Sequence, residues 1–145
     1  ALQLQAFLTA HYFVNVLYSG LKHLERNKNI MPFTVKETKT YPNTTEQVYA
    51  AAQKAVAGFE GKILEENAVA GTLKGQFDKK IYGQVLGDRT QILVQVTPQG
   101  DAGSQISVEV YPINPIGQKL EFGARKGVPR KVTTWYWAHV ENNLK

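Results

Sequence analysis

Residues 90–111 read TQILVQVTPQGDAGSQISVEVY, and this stretch decides the fold class. Ile92, Val94 and Val96 alternate with Leu93 and Gln95; beyond the turn-rich residues 98–103, Ile106, Val108 and Val110 alternate with Ser107 and Glu109. A strand turns successive side chains to opposite faces. Period-two alternation on both sides of a Pro/Gly/Asp break therefore predicts an antiparallel hairpin with one apolar face. Upstream, residues 62–66, 71–78 and 81–86 are further short β-like runs, and Gly87-Asp88 makes another tight turn. None of the connections is long enough for a helical crossover, so the expected topology is an antiparallel meander.

Helical patterns flank these runs. Residues 33–41 set Phe33, Val35, Glu37 and Lys39 against Thr34, Lys36, Thr38 and Thr40, which predicts a first strand. Tyr41-Pro42-Asn43-Thr44-Thr45 breaks it. Thr44 or Thr45 offers a helix N-cap, with Glu46 and Gln47 in the first turn. Val48, Ala51, Ala52, Ala55, Val56 and Phe59 then form an apolar face at helical spacing, and Gly58 or Gly61 can end the helix. At the C-terminus Pro129 suits a first helical turn, and Val132, Trp135, Tyr136, His139 and Val140 fall on or near one face. Three aromatics in succession, Trp135, Tyr136 and Trp137, cannot all point inward, so at least one belongs at a boundary, a ligand cavity or an interface. The expected fold class is α+β, an antiparallel β-meander packed against a C-terminal α-helix and preceded by an amphipathic N-terminal helix.

The order strand, helix, meander, C-terminal helix resembles the helix-grip arrangement of the START and Bet v 1-like superfamily. Residues 41–56, YPNTTEQVYAAAQKAV, resemble that superfamily's first strand-to-helix step, and residues 135–144, WYWAHVENNL, are similar to its final helix. The resemblance implies a helix-grip fold with a ligand cavity. No ligand residue is carried over from it.

The 145 residues, 43% hydrophobic and 20% charged, fit one folded domain without need of a second. Met31-Pro32-Phe33 reads as its start, which divides the chain into a helical extension over residues 1–30 and a single α+β domain over residues 31–145. Residues 2–24 are rich in Leu, Phe, Tyr and Val, with His11, Asn15, Ser19, Lys22 and Arg26 recurring as a polar stripe. Gln3, Gln5, His11 and Asn15 interrupt the apolar run and argue against a membrane span. Basic residues follow that run instead of preceding it, which argues against a signal peptide; the expected location is cytoplasmic, with membrane association if the helix docks.

No cysteine is present, which excludes disulfides, thiolate metal sites and cysteine nucleophiles. His11, His23 and His139 have no metal-binding spacing, and Ser19, Ser104 and Ser107 have no nucleophile-elbow context. Residues 71–75, GTLKG, read as a strand with a bulge or close backbone approach, not as a phosphate loop. The expectation leans away from catalysis: no catalytic residue, no metal and no cofactor is assigned, and an enzyme of unidentified class ranks third.

Two binding sites are candidates. Trp135, Tyr136 and His139 on the last helix stand nearest a site for a small apolar molecule, although a lone histidine also suits a core edge. Residues 117–131, GQKLEFGARKGVPRK, concentrate Lys119, Arg125, Lys126, Arg130 and Lys131 before a helix N-terminus, an arrangement fit for an anion or for a solvated basic loop. Asp88 and Arg89 fit an ordinary hairpin tip. The net charge of +5 favours acidic partners, but nucleic acid is disfavoured because aromatics are not interleaved with the cations. The expected function is a non-catalytic binding domain for a partner protein or small apolar ligand. The alternative is an accessory subunit docking through residues 2–24 on an anionic membrane surface or a larger membrane complex.

Overall fold

Thr44 starts the first helix by a reciprocal pair of bonds: its hydroxyl accepts from the Gln47 backbone N–H at 3.2 Å, and Gln47 Oε1 accepts from the Thr44 N–H at 3.1 Å. This capping box satisfies two helix-end donors and separates β1 (Val35–Tyr41) from α1 (Thr45–Gly58) at the break expected from sequence. The computed structural model describes residues 33–121, 124–125 and 127–145. The helix expected over residues 2–24 lies outside these, as do the rest of the 1–30 extension, the expected domain start at Met31-Pro32, and Lys126.

After α1 the chain forms β2 (Lys62–Asn67) and β3 (Thr72–Phe77), then a small separate hairpin of β4 (Lys80–Ile81) and β5 (Gln84–Val85). A single strand was expected over residues 81–86. Tyr82 and Gly83 instead both adopt positive φ, 48° and 76°, which is the two-residue turn whose twist suits a tight hairpin, so the chain reverses midway. Residues 89–113 fold as the opening pattern requires. β6 (Arg89–Gln99) pairs with β7 (Gly103–Ile113) in register Ile92↔Val110, Val94↔Val108, Val96↔Ile106. The large sheet has the order β1-β7-β6-β3-β2 with every pairing antiparallel, and α2 (Val128–Asn143) closes the chain. Sheet and C-terminal helix thus form the expected α+β meander arrangement.

Both helices pack on one face of the sheet, and the reason is local. Alanines 51, 52 and 55 leave α1 a low-relief surface, and Gly75 on β3 lies beneath it. A Cβ at Gly75 would stand 3.0 Å from Val56 Cγ1 and 3.1 Å from Ile92 Cγ2, so this is the close approach foreseen for residues 71–75; the bulge lies in β2, between Ile63 and Glu65. Val48, Ala52, Val56, Phe77, Ile92, Ile106, Val110, Val132, Tyr136 and Val140 have no accessible area. Each large apolar side chain so buried contributes on the order of 1.5–3 kcal/mol. Polar pins add direction: Tyr136 Oη donates to the Ala52 carbonyl at 3.3 Å and Asn143 Nδ2 to the Ala51 carbonyl at 3.2 Å, fixing α2 against α1.

Candidate functional site

The aromatic run on α2 distributes its side chains by helical rotation. Tyr136 points into the core, where burial pushes its phenol well above the ordinary range and keeps it neutral. Trp135 and His139, half-buried, meet at Phe59 on the other side of α1's end. His139 stacks on Phe59 with centroids 5.2 Å apart, Phe59 stacks on Phe77 at 4.2 Å, and Trp135 meets the Phe59 ring edge-on at 6.3 Å. The structure therefore brings Trp135 and His139 together, with Tyr136 on the adjoining flank. Side chains without accessible area border no void that admits a water molecule, so the interior around Tyr136, Phe77 and Val132 is filled.

Trp137 is the functional-looking aromatic that the spacing argument passed over. It is buried, its Nε1 donates to Glu37 Oε2 at 2.6 Å, and Lys39 Nζ lies 4.8 Å from its ring centre. Val132, Tyr136 and Val140 are accompanied in the core by Thr133 and Trp137, so the buried stripe lies one residue further round the helix than the stripe through Trp135 and His139. The usable signal was the acid at position 37 on the inward side of β1, which needs a buried donor.

The basic residues go to separate partners. Lys119 pairs with Glu109 at 3.0 Å and covers the Tyr111 ring, Arg130 pairs with Glu37 at 2.6 Å, and Lys131 lies over Trp135. Arg125 donates its backbone N–H to Asp88 Oδ2 at 2.7 Å and packs its side chain against Gly87. Arg130 and Lys131, one residue apart on a helix, necessarily leave on different flanks. Lys126 lies outside the described residues.

A concavity of about 760 Å³ lies on the other face of the sheet, opposite α1 and α2. Two cross-strand rows line it. The first runs Lys36, Glu109, Leu93, Lys74, Glu65 across β1, β7, β6, β3 and β2; the second runs Thr38, Ser107, Gln95, Thr72, Asn67. Period-two alternation turns both rows outward while Val94, Val108 and Leu73 turn inward. One row carries alternating charge around a central leucine. The other carries only hydroxyls and amides, with Thr38 Oγ1 3.2 Å from Ser107 Oγ. Beyond them Tyr111 Oη donates to Gln91 Oε1 at 2.9 Å and Gln91 Nε2 to Gln76 Oε1 at 3.2 Å, which closes that end with a satisfied polar network.

Among the described residues no group of three or more His, Asp or Glu side chains could hold a metal ion, and no helix is long and apolar enough to cross a membrane. No protein-family model matches the chain, and no curated protein matches it. Solved structures do. Ara h 8.0201 aligns with a TM-score of 0.53 at 12% identity, over 77% of this chain and 96% of its own. Protein MLL2253 from Mesorhizobium loti aligns with a TM-score of 0.51 at 14% identity, over 77% and 96%. With a five-stranded antiparallel sheet packed against a long C-terminal helix, this chain has the helix-grip fold of START and Bet v 1-like proteins.

Proposed function

We propose that the chain is a non-catalytic binding domain that takes a polypeptide partner on the open face of its sheet. The observation that carries this reading is the concavity spanned by two polar rows, which is open, continuous over five strands and covered by neither α1 nor α2. Its hydroxyl and amide row can exchange hydrogen bonds with a peptide backbone, while the neighbouring row presents Lys36 and Lys74 to acids and Glu65 to bases, Glu109 being held by Lys119. Leu93 supplies an apolar contact at the centre. The lack of accessible area at Tyr136, Phe77 and Val132 supports the same choice, because an enclosed apolar ligand needs a volume of at least about 300 Å³.

A second reading rests on the Phe77–Phe59–His139 stack with Trp135 on its edge: a small apolar molecule entering beside α2, near Trp135, Tyr136 and His139. It requires α2 to move away from the sheet. Native mass spectrometry of the full chain, as purified and after mixing with peptides of mixed charge, separates the two. The first reading expects peptide adducts that vanish in Leu93→Arg and persist in Trp135→Ala. A retained apolar molecule that is lost in Trp135→Ala and kept in Leu93→Arg would support the second reading. Absence of peptide adducts rejects the first.

A further inference from the structure

One end of the sheet gathers loops that are distant in sequence. Phe77 at the end of β3 pairs with Thr90, and Arg89 at the start of β6 pairs with Ile113 at the end of β7, so the β4–β5 hairpin and the loop after β7 leave the sheet at the same edge. Both carry bare apolar tips. Tyr82 and Val85 on the hairpin are 63% and 70% exposed, and Ile116 on the loop is 78% exposed; these are three of the six exposed large hydrophobics among the described residues. Tyr82 holds its place at positive φ, a position where asparagine or glycine is favoured and a bulky side chain is strained. Strain that presents an aromatic ring to solvent has no use for the hairpin's own stability.

The same two segments hold the charge. Residues 78–89 and 114–131 contain eight of the chain's 17 Lys and Arg but three of its 12 Asp and Glu, a net charge equal to the +5 of the whole chain. Both signs are partly engaged: Asp78 by Arg89 at 3.3 Å, Asp88 by the Arg125 N–H, and, by acids outside the two segments, Lys119 by Glu109 at 3.0 Å and Arg130 by Glu37 at 2.6 Å; Lys79, Lys80, Arg125 and Glu121 are exposed. Outside the two segments Glu60 accepts from the Tyr82 N–H at 3.1 Å, which steadies the hairpin.

We propose that this end of the molecule rests on an anionic lipid bilayer, with Tyr82, Val85 and Ile116 entering the headgroup region while Lys79, Lys80 and Arg125 engage acidic head groups. The surface is neither the open sheet face nor residues 2–24. Charge complementarity selects an anionic surface. The form of the apolar part selects lipid over protein: separate protruding tips find no single complementary groove, whereas a bilayer interface admits each independently. Tyrosine favours that interface, and lysine stems lie along apolar groups while their ammonium ions stay wet.

Co-sedimentation of the full chain with vesicles tests this. Binding is expected to vesicles of phosphatidylcholine mixed with phosphatidylglycerol, to weaken with salt, and to be absent with phosphatidylcholine alone. Tyr82→Asn places the favoured residue in the turn, so it should raise or preserve the melting temperature while weakening vesicle binding. Combined with Ile116→Ser, the loss should reach roughly tenfold or more, as expected for withdrawing two inserted apolar side chains. The proposal is overturned if the wild type does not bind, if it binds neutral vesicles equally well, or if Tyr82→Asn and the folded double variant bind like the wild type, since another segment would then carry the interaction.

Discussion

Glu37 joins two elements that are about a hundred residues apart in the chain. Its carboxylate accepts from the Trp137 indole N–H and from Arg130, each at 2.6 Å, and so ties β1 to α2. Glu37→Ala leaves the buried indole donor unpaired, which should cost about 1–3 kcal/mol in urea unfolding and alter tryptophan fluorescence. Glu141 behaves differently because it is exposed. Hydrogen bonds from Lys39 and then Tyr41 hold its carboxyl below the usual carboxylate range, and the same contact, after burial itself, raises the Tyr41 phenol. A carboxyl lowered on folding adds stability at neutral pH that is lost as pH falls through its folded value. Glu141→Gln should flatten the acid limb of the stability profile, by no more than about 1 kcal/mol for so exposed a pair, and melting curves from pH 7 to acid check it.

At the level of elements, α1 and its capping box followed the sequence closely, because N-cap chemistry and an alanine-rich face are local properties. The hairpin at residues 80–85 did not: its alternating residues read as one strand, and the reversal at Tyr82-Gly83 uses a turn residue that is seldom chosen. The depth at which α1 sits on the sheet depends on Gly75. Gly75→Ala would press a methyl group on Val56 and Ile92, both fully buried and unable to yield, and should destabilise by about 1–3 kcal/mol in chemical denaturation. An unchanged midpoint would mean that α1 can lift from β3.

At the scale of the whole fold, the consequential feature is that core side chains between sheet and helices, Tyr136, Phe77 and Val132 among them, have no accessible area. Tyr136 is the largest of the fully buried side chains, and it occupies the space between the two helices. Tyr136→Ala should cost about 3–5 kcal/mol and leave a dry cavity. Benzene or xenon should then raise the melting temperature of the variant and leave that of the wild type unchanged. A wild-type response would reveal interior volume and strengthen the apolar-ligand reading.

Periodicity within residues 33–41, 44–59, 90–111 and 128–143 determined which strands and helices form and which face of each is apolar, because those preferences act over neighbours in the chain. The resemblance to the helix-grip arrangement was carried by the order of those elements and by residues 41–56 and 135–144. Tertiary structure decided the rest. Whether Trp135 or Trp137 enters the core depends on how α2 is rotated against β1, and the partners of Lys119, Arg130 and Lys131 depend on acids and rings brought near by folding. The two polar rows exist only through the register of five strands, each row drawing residues from positions far apart in sequence. Local alternation orients a side chain; only the closed sheet and packed helices give it neighbours.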